Sequence, residues 1–223
     1  MIRPTTRADQ RLAVVVDFDG TASTRDVGYS LLERFARDGS WKVIDNDYET
    51  GRIGSRDAYR LVARLLDGGV EQWTEFALSA AALDPGLSAL AGLARARGWR
   101  AEILSDGLGF YIRAFLRREG IDLPVRANEL LAASPPTGTR IVTPFLNPRC
   151  GRCGTCKAER VETLVRAGWS VVYVGDGYSD LCAAPRAGRV FAKGILAQHC
   201  RARHIPFETF ENLADVAVAL APD

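Results

Sequence analysis

The residues of this chain best suited to chemistry stand in four groups. Asp17-Phe18-Asp19-Gly20-Thr21 follows the apolar run LAVVV, and Ser105-Asp106-Gly107 follows RAEIL. Lys157 comes straight after CGRCGTC, and Gly175-Asp176-Gly177-Tyr178-Ser179-Asp180 follows VVYV. This set suits phosphoryl transfer. A phosphate monoester is anionic, so a carboxylate nucleophile approaches it only where a cation offsets the charge. Mg²⁺, a hard ion that takes carboxylate oxygens, is the expected cofactor. Asp17 would attack phosphorus and split one hard displacement into two easier ones. Asp19, one residue beyond Phe18, would protonate the leaving oxygen and later deprotonate water. Asp17 and Asp176 are the expected side-chain metal ligands. Ser105 and the amides that follow it, with Thr21 and Lys157, would hold the phosphoryl oxygens. Gly20, Gly107 and Gly177 would let backbone come close to the phosphate.

Such groups act together only if the fold brings them to one place. Leu12 to Val16, Arg100 to Leu104 and Val171 to Val174 are short apolar runs that end in small or acidic residues, the pattern of buried parallel strands. Leu87 to Arg97 carries apolar residues at three- and four-residue spacing and stops at Gly98, and Val161 to Ala167 stops likewise at Gly168. The alternation predicts an α/β, Rossmann-like core in which a parallel sheet is covered by helices and ligands bind at the carboxyl ends of the strands. Roughly 80 residues separate the first two strands, far more than a crossover needs. Tyr29 to Arg37, Tyr59 to Leu66 and Glu71 to Ala82 have helical spacing, and the segment closes at Asp84-Pro85-Gly86. The expected division is a core of residues 1–23 and 87–223 with a helical cap of residues 24–86 inserted after the first strand. Val125 to Cys156, with Pro135, Pro136 and Gly138 in its middle, reads as a small β excursion.

Composition narrows the partners. With 29 Lys and Arg against 27 Asp and Glu, nothing in the charge balance calls for nucleic acid or an anionic membrane. A small phosphate ester is the expected partner, with the protein a monomer or homodimer. The apolar run near the start is too short for a signal peptide, and no stretch is long enough to span a bilayer. Five cysteines, three of them in CGRCGTC, do not form a secreted disulfide pattern, which points to the cytoplasm. Cys150, Cys153 and Cys156 could offer three thiolates to zinc with Cys182, Cys200 or His199 as the fourth ligand, or could form a metal-free loop that positions Lys157.

Three acidic strand ends in order, with a lysine between the last two, resemble the haloacid dehalogenase superfamily of phosphohydrolases. The resemblance covers nearly the whole chain. It implies that the Asp19 carbonyl is a further metal ligand, and Asp180 would be a second carboxylate on the metal side, orienting Lys157 or metal-bound water. The long helical insertion resembles the cap of the phosphoserine phosphatase-like branch. There Asp26 matches a position that faces substrate, although it could equally be a solvated acid at a helix start. Asp106 either lies against substrate or caps the helix that follows it. Phosphoserine itself is disfavoured, because Ser179 replaces a usual asparagine and Val62 falls where a carboxylate-reading arginine is expected, although Arg60 and Arg64 are near. The cysteines before Lys157 and the later FAKGILAQHCRARHIPFETF are more similar to the 2-hydroxy-3-keto-5-methylthiopentenyl-1-phosphate phosphatases of methionine salvage. Leu65, Trp73 and Phe76 would then receive a thioether tail. Phosphoethanolamine and phosphocholine phosphatases also place cysteines before the lysine. A receiver domain has similar acids but no cap, a phosphomutase shares the first half-reaction, and a zinc-organised binding module without catalysis is the remaining class.

Overall fold

The computed structural model describes residues 11–132 and 139–221. At its centre is a six-stranded sheet. Strand β1 is Leu12–Val16, β2 Arg100–Leu108, β3 Val125–Ala132, β4 Thr139–Val142, β5 Ser170–Gly175 and β6 Arg189–Ala192. Their order is β4-β3-β2-β1-β5-β6, parallel throughout except for the antiparallel β3/β4 pair. The run LAVVV becomes the central strand because Val14, Val15 and Val16 find apolar cover on both faces. Val16 is in register with Ile103 of β2 and Val174 of β5, so the three acidic groups leave the sheet side by side. An Asp17 N–H donating to Val174 O at 2.9 Å carries that register one residue further.

Helices α5 (Leu87–Ala96), α6 (Gly109–Arg118), α7 (Lys157–Arg166), α8 (Gly194–Ala202) and α9 (Leu213–Leu220) flank the sheet. Phe18, Tyr111, Ile112, Phe115 and Leu213 fill one face, while Val161, Leu164, Leu196 and Cys200 fill the other. The expected helix at Val161 begins earlier, at Lys157, because its polar first turn KAER carries no apolar spacing. Strand β2 runs four residues beyond Leu104, through Ser105-Asp106-Gly107. Its register on β3 shifts between Leu104 and Leu108. The β excursion is the β3/β4 hairpin, and its expected turn at Pro135, Pro136 and Gly138 lies outside the described residues.

Between β1 and α5 lie four helices: α1 (Val27–Phe35), α2 (Trp41–Glu49), α3 (Ser55–Val62) and α4 (Val70–Ala80). Helix α2 was not legible in WKVIDNDYE, a largely polar segment in which only Trp41 is buried. The segment leaves and returns at one point, since Ser23 bridges Leu83 and Thr24 N–H donates to Ala82 O at 2.9 Å. The Asp84 carboxylate fixes the closing turn by accepting the Gly86 amide at 2.8 Å and the Leu213 amide at 3.0 Å. Helix α4 leans on α6 through Trp73 and Phe110, whose rings are 6.4 Å apart. Among the described residues no helix is long and apolar enough to cross a membrane.

Candidate active site

Lys157 opens α7 beneath the end of β1, only 2% exposed. Its Nζ lies 2.6 Å from Asp17 Oδ1, 2.7 Å from Asp180 Oδ1 and 2.7 Å from Ser179 Oγ. Burial alone would depress the lysine, but Asp17 and Asp180 outweigh it and hold the ammonium above its ordinary range. Asp17 is pushed upward by burial and then by the charges of Asp180 and Asp176, against the pull of Lys157. Asp180 spends its oxygens on the fold. Oδ1 accepts Lys157 Nζ and the Tyr173 hydroxyl at 2.5 Å, and Oδ2 accepts the Asp176 and Gly177 amides at 3.0 and 2.9 Å. Of its two expected uses, orientation of Lys157 is the one this geometry favours.

Asp19 sits at the edge of a cavity of about 380 Å³ that also exposes Asp17, Asp26, Ser105, Asp106, Gly107 and Asp176. Its Oδ1 accepts the Val27 amide at 2.9 Å and its Oδ2 the Tyr111 hydroxyl at 2.8 Å. Burial, then repulsion from Asp26, lifts its pKa to about 7. Asp26 caps α1 by accepting the Tyr29 amide at 2.7 Å, and it also lines the cavity. Ser105 Oγ accepts the Gly107 amide at 2.9 Å, which frees its own proton for another acceptor. Gly107 is required because a Cβ there would strike Tyr111 Oη and Asp19 Oδ2. Gly20, at φ +75°, is held likewise: a Cβ would lie 2.5 Å from Asp176 Oδ2.

Several expectations need correction. Thr21 is fully buried and does not line the cavity; its hydroxyl donates to Asp176 Oδ1 at 2.6 Å, so its side chain orients a carboxylate. Asp106 does not cap the following helix, whose first turn lacks a side-chain cap. Instead its Oδ1 accepts the Thr155 amide at 2.8 Å and Asn128 Nδ2 at 3.0 Å, tying the loop before Lys157 to the end of β2. Trp73 and Phe76 belong to the core of the helical segment: Trp73 Nε1 donates to Asp67 O at 2.8 Å and Phe76 packs edge-on against Phe35. Leu65 is also outside the cavity, whose apolar wall includes Leu31, Leu32, Ile44, Val62 and Leu66. Arg60 pairs with Asp57 on the surface, and among the described residues no lysine or arginine lines the cavity.

Among the described residues, only Asp17, Asp176 and Asp180 bring three ligand atoms within 4.8 Å of one another. Burial, then the Asp106 charge, pushes the Cys153 thiol up to about 12. CGRCGTC is instead a strap. Arg152 O accepts the Arg56 amide at 3.0 Å, and the Gly154 amide donates to Ser55 Oγ at 3.0 Å, so the loop docks on the start of α3. Neither Tyr111 nor this docking was legible in the sequence, although a tyrosine inside the apolar run GFYIRAF has to find a partner for its hydroxyl.

The acid triad passes a test for a hard cation. Asp17, Asp176 and Asp180 offer only oxygens and outnumber the Lys157 ammonium between them, and Asp17 and Asp176 are the two not wholly committed to the fold. Burial, and then the charge of Asp180, raises Asp176 to about 6 against the pull of the Thr21 hydroxyl, Lys157 and Lys193. A stability prediction follows. Carboxylates whose folded pKa is raised contribute stability that is whole below about pH 4 and is lost as pH climbs through about 6 for Asp176 and about 7 for Asp19. In chelator the melting temperature should therefore fall by several degrees between pH 5 and pH 8. Added Mg²⁺ should restore more of it at pH 8. Thermal scans at both pH values check this, and a chelated protein that melts higher at pH 8 contradicts it.

Comparison with known proteins adds a family and a fold. The haloacid dehalogenase-like hydrolase profile matches residues 14–185. The chain is 27% identical over 207 residues to a 2-hydroxy-3-keto-5-methylthiopentenyl-1-phosphate phosphatase of Exiguobacterium sp., covering 90% of this chain and 94% of that protein. It is 25% identical to a Brevibacillus brevis protein of the same name, with 93% and 94% covered. Among solved structures, a phosphoserine phosphatase captured as a phospho-aspartyl intermediate analogue superposes with a TM-score of 0.71 at 19% identity, covering 95% of this chain and 99% of that one.

Proposed function

Given that this chain belongs to the haloacid dehalogenase-like hydrolases and is a phosphomonoester phosphatase, we propose that it hydrolyses a small phosphorylated metabolite through an aspartyl phosphate on Asp17. The observation that carries this reading is the floor of the cavity, where Asp17 rests on Lys157 with Asp19 and Asp176 beside it. Lys157 and the Phe18 amide both engage Asp17 Oδ1, which assigns attack on phosphorus to Oδ2. As the new oxygen–phosphorus bond forms, the bond to the leaving oxygen breaks and Asp19 supplies the proton. Asp19 then takes a proton from water, whose oxygen attacks the aspartyl phosphate, releasing inorganic phosphate and restoring Asp17. The Ser105 hydroxyl donates to a phosphoryl oxygen, and Lys157 offsets charge from below. Asp17, Asp176 and the Asp19 main-chain carbonyl would hold Mg²⁺, with Asp180 behind them fixing Lys157. When bound, the ion neutralises the phosphoryl charge that would otherwise repel the nucleophile.

Residues 24–86 serve as a cap over the core of residues 1–23 and 87–223, and the cap supplies specificity. Among the described residues the cavity has no lining lysine or arginine to pair with a free carboxylate, which supports a carboxylate-free ester over phosphoserine. The wall of Leu31, Leu32, Ile44 and Val62 suits an uncharged tail such as a thioether. With the names of the 27% and 25% identical relatives, this favours the methionine-salvage enol phosphate. A second reading rests on Asp26, Asp45 and Glu49, which line the same cavity and would attract the ammonium of phosphoethanolamine or phosphocholine.

The test is a panel of these esters and phosphoserine, each ranked by kcat/KM with Mg²⁺ and with chelator. The salvage ester is expected first, and all rates should collapse in chelator. Phosphocholine in first place would select the second reading. Phosphoserine well ahead would overturn both, and turnover indifferent to chelation would remove the metal.

A further inference from the structure

The proton shuttle is gripped from two sides. Tyr111 Oη reaches Asp19 Oδ2 from α6, and the Val27 amide reaches Oδ1 from the first turn of α1. Neither Tyr111 nor Val27 lines the cavity, so both act through Asp19. Tyr111 is fully buried, with its ring centroid 5.9 Å from that of Phe18 and 5.3 Å from that of Phe110, which leaves its hydroxyl little freedom. The Val27 amide is one of the helix-start donors that lack an intrahelical partner. Gly107 completes the arrangement, since any side chain there would occupy the space of the Tyr111–Asp19 contact. Each carboxylate oxygen has two lone-pair sites. The clamp uses one on each, and the other remains for the transferred proton.

Resting on the reading of Asp19 as the shuttle, we propose that the Tyr111 hydroxyl and the Val27 amide are positioning groups that fix the carboxyl plane of Asp19 toward the leaving oxygen. Because one donor belongs to the helical segment and the other to the core helix, the acid is set only while α1 is docked.

A leaving-group comparison tests this. The ratio kcat/KM reports transition-state stabilisation relative to free enzyme and ester. For this mechanism it reads the steps up to departure of the leaving group. An alkoxide needs the proton, whereas p-nitrophenolate departs with little help. Tyr111→Phe keeps the ring and removes the donor. It should lower kcat/KM on a simple alkyl phosphate by roughly 10- to 100-fold, the scale set by small misplacement of a reacting group, with little change on p-nitrophenyl phosphate. Val27→Pro deletes the other donor at the first helical position, where proline is tolerated and the preceding Asp26 is already extended at φ −72°, ψ 105°. It should show the same pattern and serves independently if Tyr111→Phe does not fold. Ile112→Val, a packing change on the same helix, should move both substrates alike. Each variant decides for its own donor: equal loss on the two esters, or no loss on either, overturns its role. Asp19→Asn is run in parallel and should show the pattern most strongly. If it does not, Asp19 is not the shuttle and the inference falls with that reading; if it does and the other variants do not, only the inference falls.

Discussion

An Asp17→Asn enzyme is expected to melt at or above the parent's temperature and to turn over no substrate. The amide is nearly isosteric but cannot attack phosphorus, so the loss should reach the limit of the assay on any ester, activated or not. Stability should survive, because burial and the neighbouring carboxylates already disfavour the Asp17 charge, and Lys157 retains Asp180 at 2.7 Å. Phosphate release and thermal melting check the two halves separately. Activity near the parent's would exclude Asp17 as nucleophile, and a collapsed melting temperature would mean that the charge holds the fold.

Lys157→Ala should do the opposite to stability while also abolishing turnover. Taking away the ammonium leaves Asp17 and Asp180 buried without compensation, a change that typically costs about 3–5 kcal/mol. For a domain of this size that corresponds to a fall in melting temperature on the order of 10 °C. The sign with pH is fixed: with Lys157 gone, Asp17 is raised further, so the deficit is small below about pH 4 and grows as pH rises through its folded pKa. Melting and turnover measured at pH 5 and pH 8 check this. A variant with the parent's melting temperature at pH 8 would show that the ion pair contributes little.

The contrast between these variants reflects what the sequence could convey. Asp17, Asp19 and Asp176 were legible because each follows a run whose only stable place is a buried parallel strand, and strand ends of that kind meet. Lys157 was legible from its position between two such runs. Thr21, Tyr111 and Asp106 took unexpected roles because their partners are distant in the chain, and no local spacing reports a hydroxyl donating across 92 or 155 residues. Trp73 and Phe76 were misplaced for a related reason, since helical periodicity identifies a buried face without saying whether a cavity or the segment's own core lies behind it. CGRCGTC drew attention through its cysteines, yet its backbone and the Arg152 guanidinium make the contacts that dock it around Gly51 to Arg56.

The most direct measurement of the central claim is to acid-quench the wild-type enzyme during steady turnover with Mg²⁺, digest it and locate any acid-stable phosphoryl group by peptide mass spectrometry. One phosphoryl group on Asp17, present with substrate, absent without it and discharged when turnover is allowed to finish before quenching, is the expected result. Rapid turnover with unmodified Asp17, or with the phosphoryl group on another residue, would contradict it.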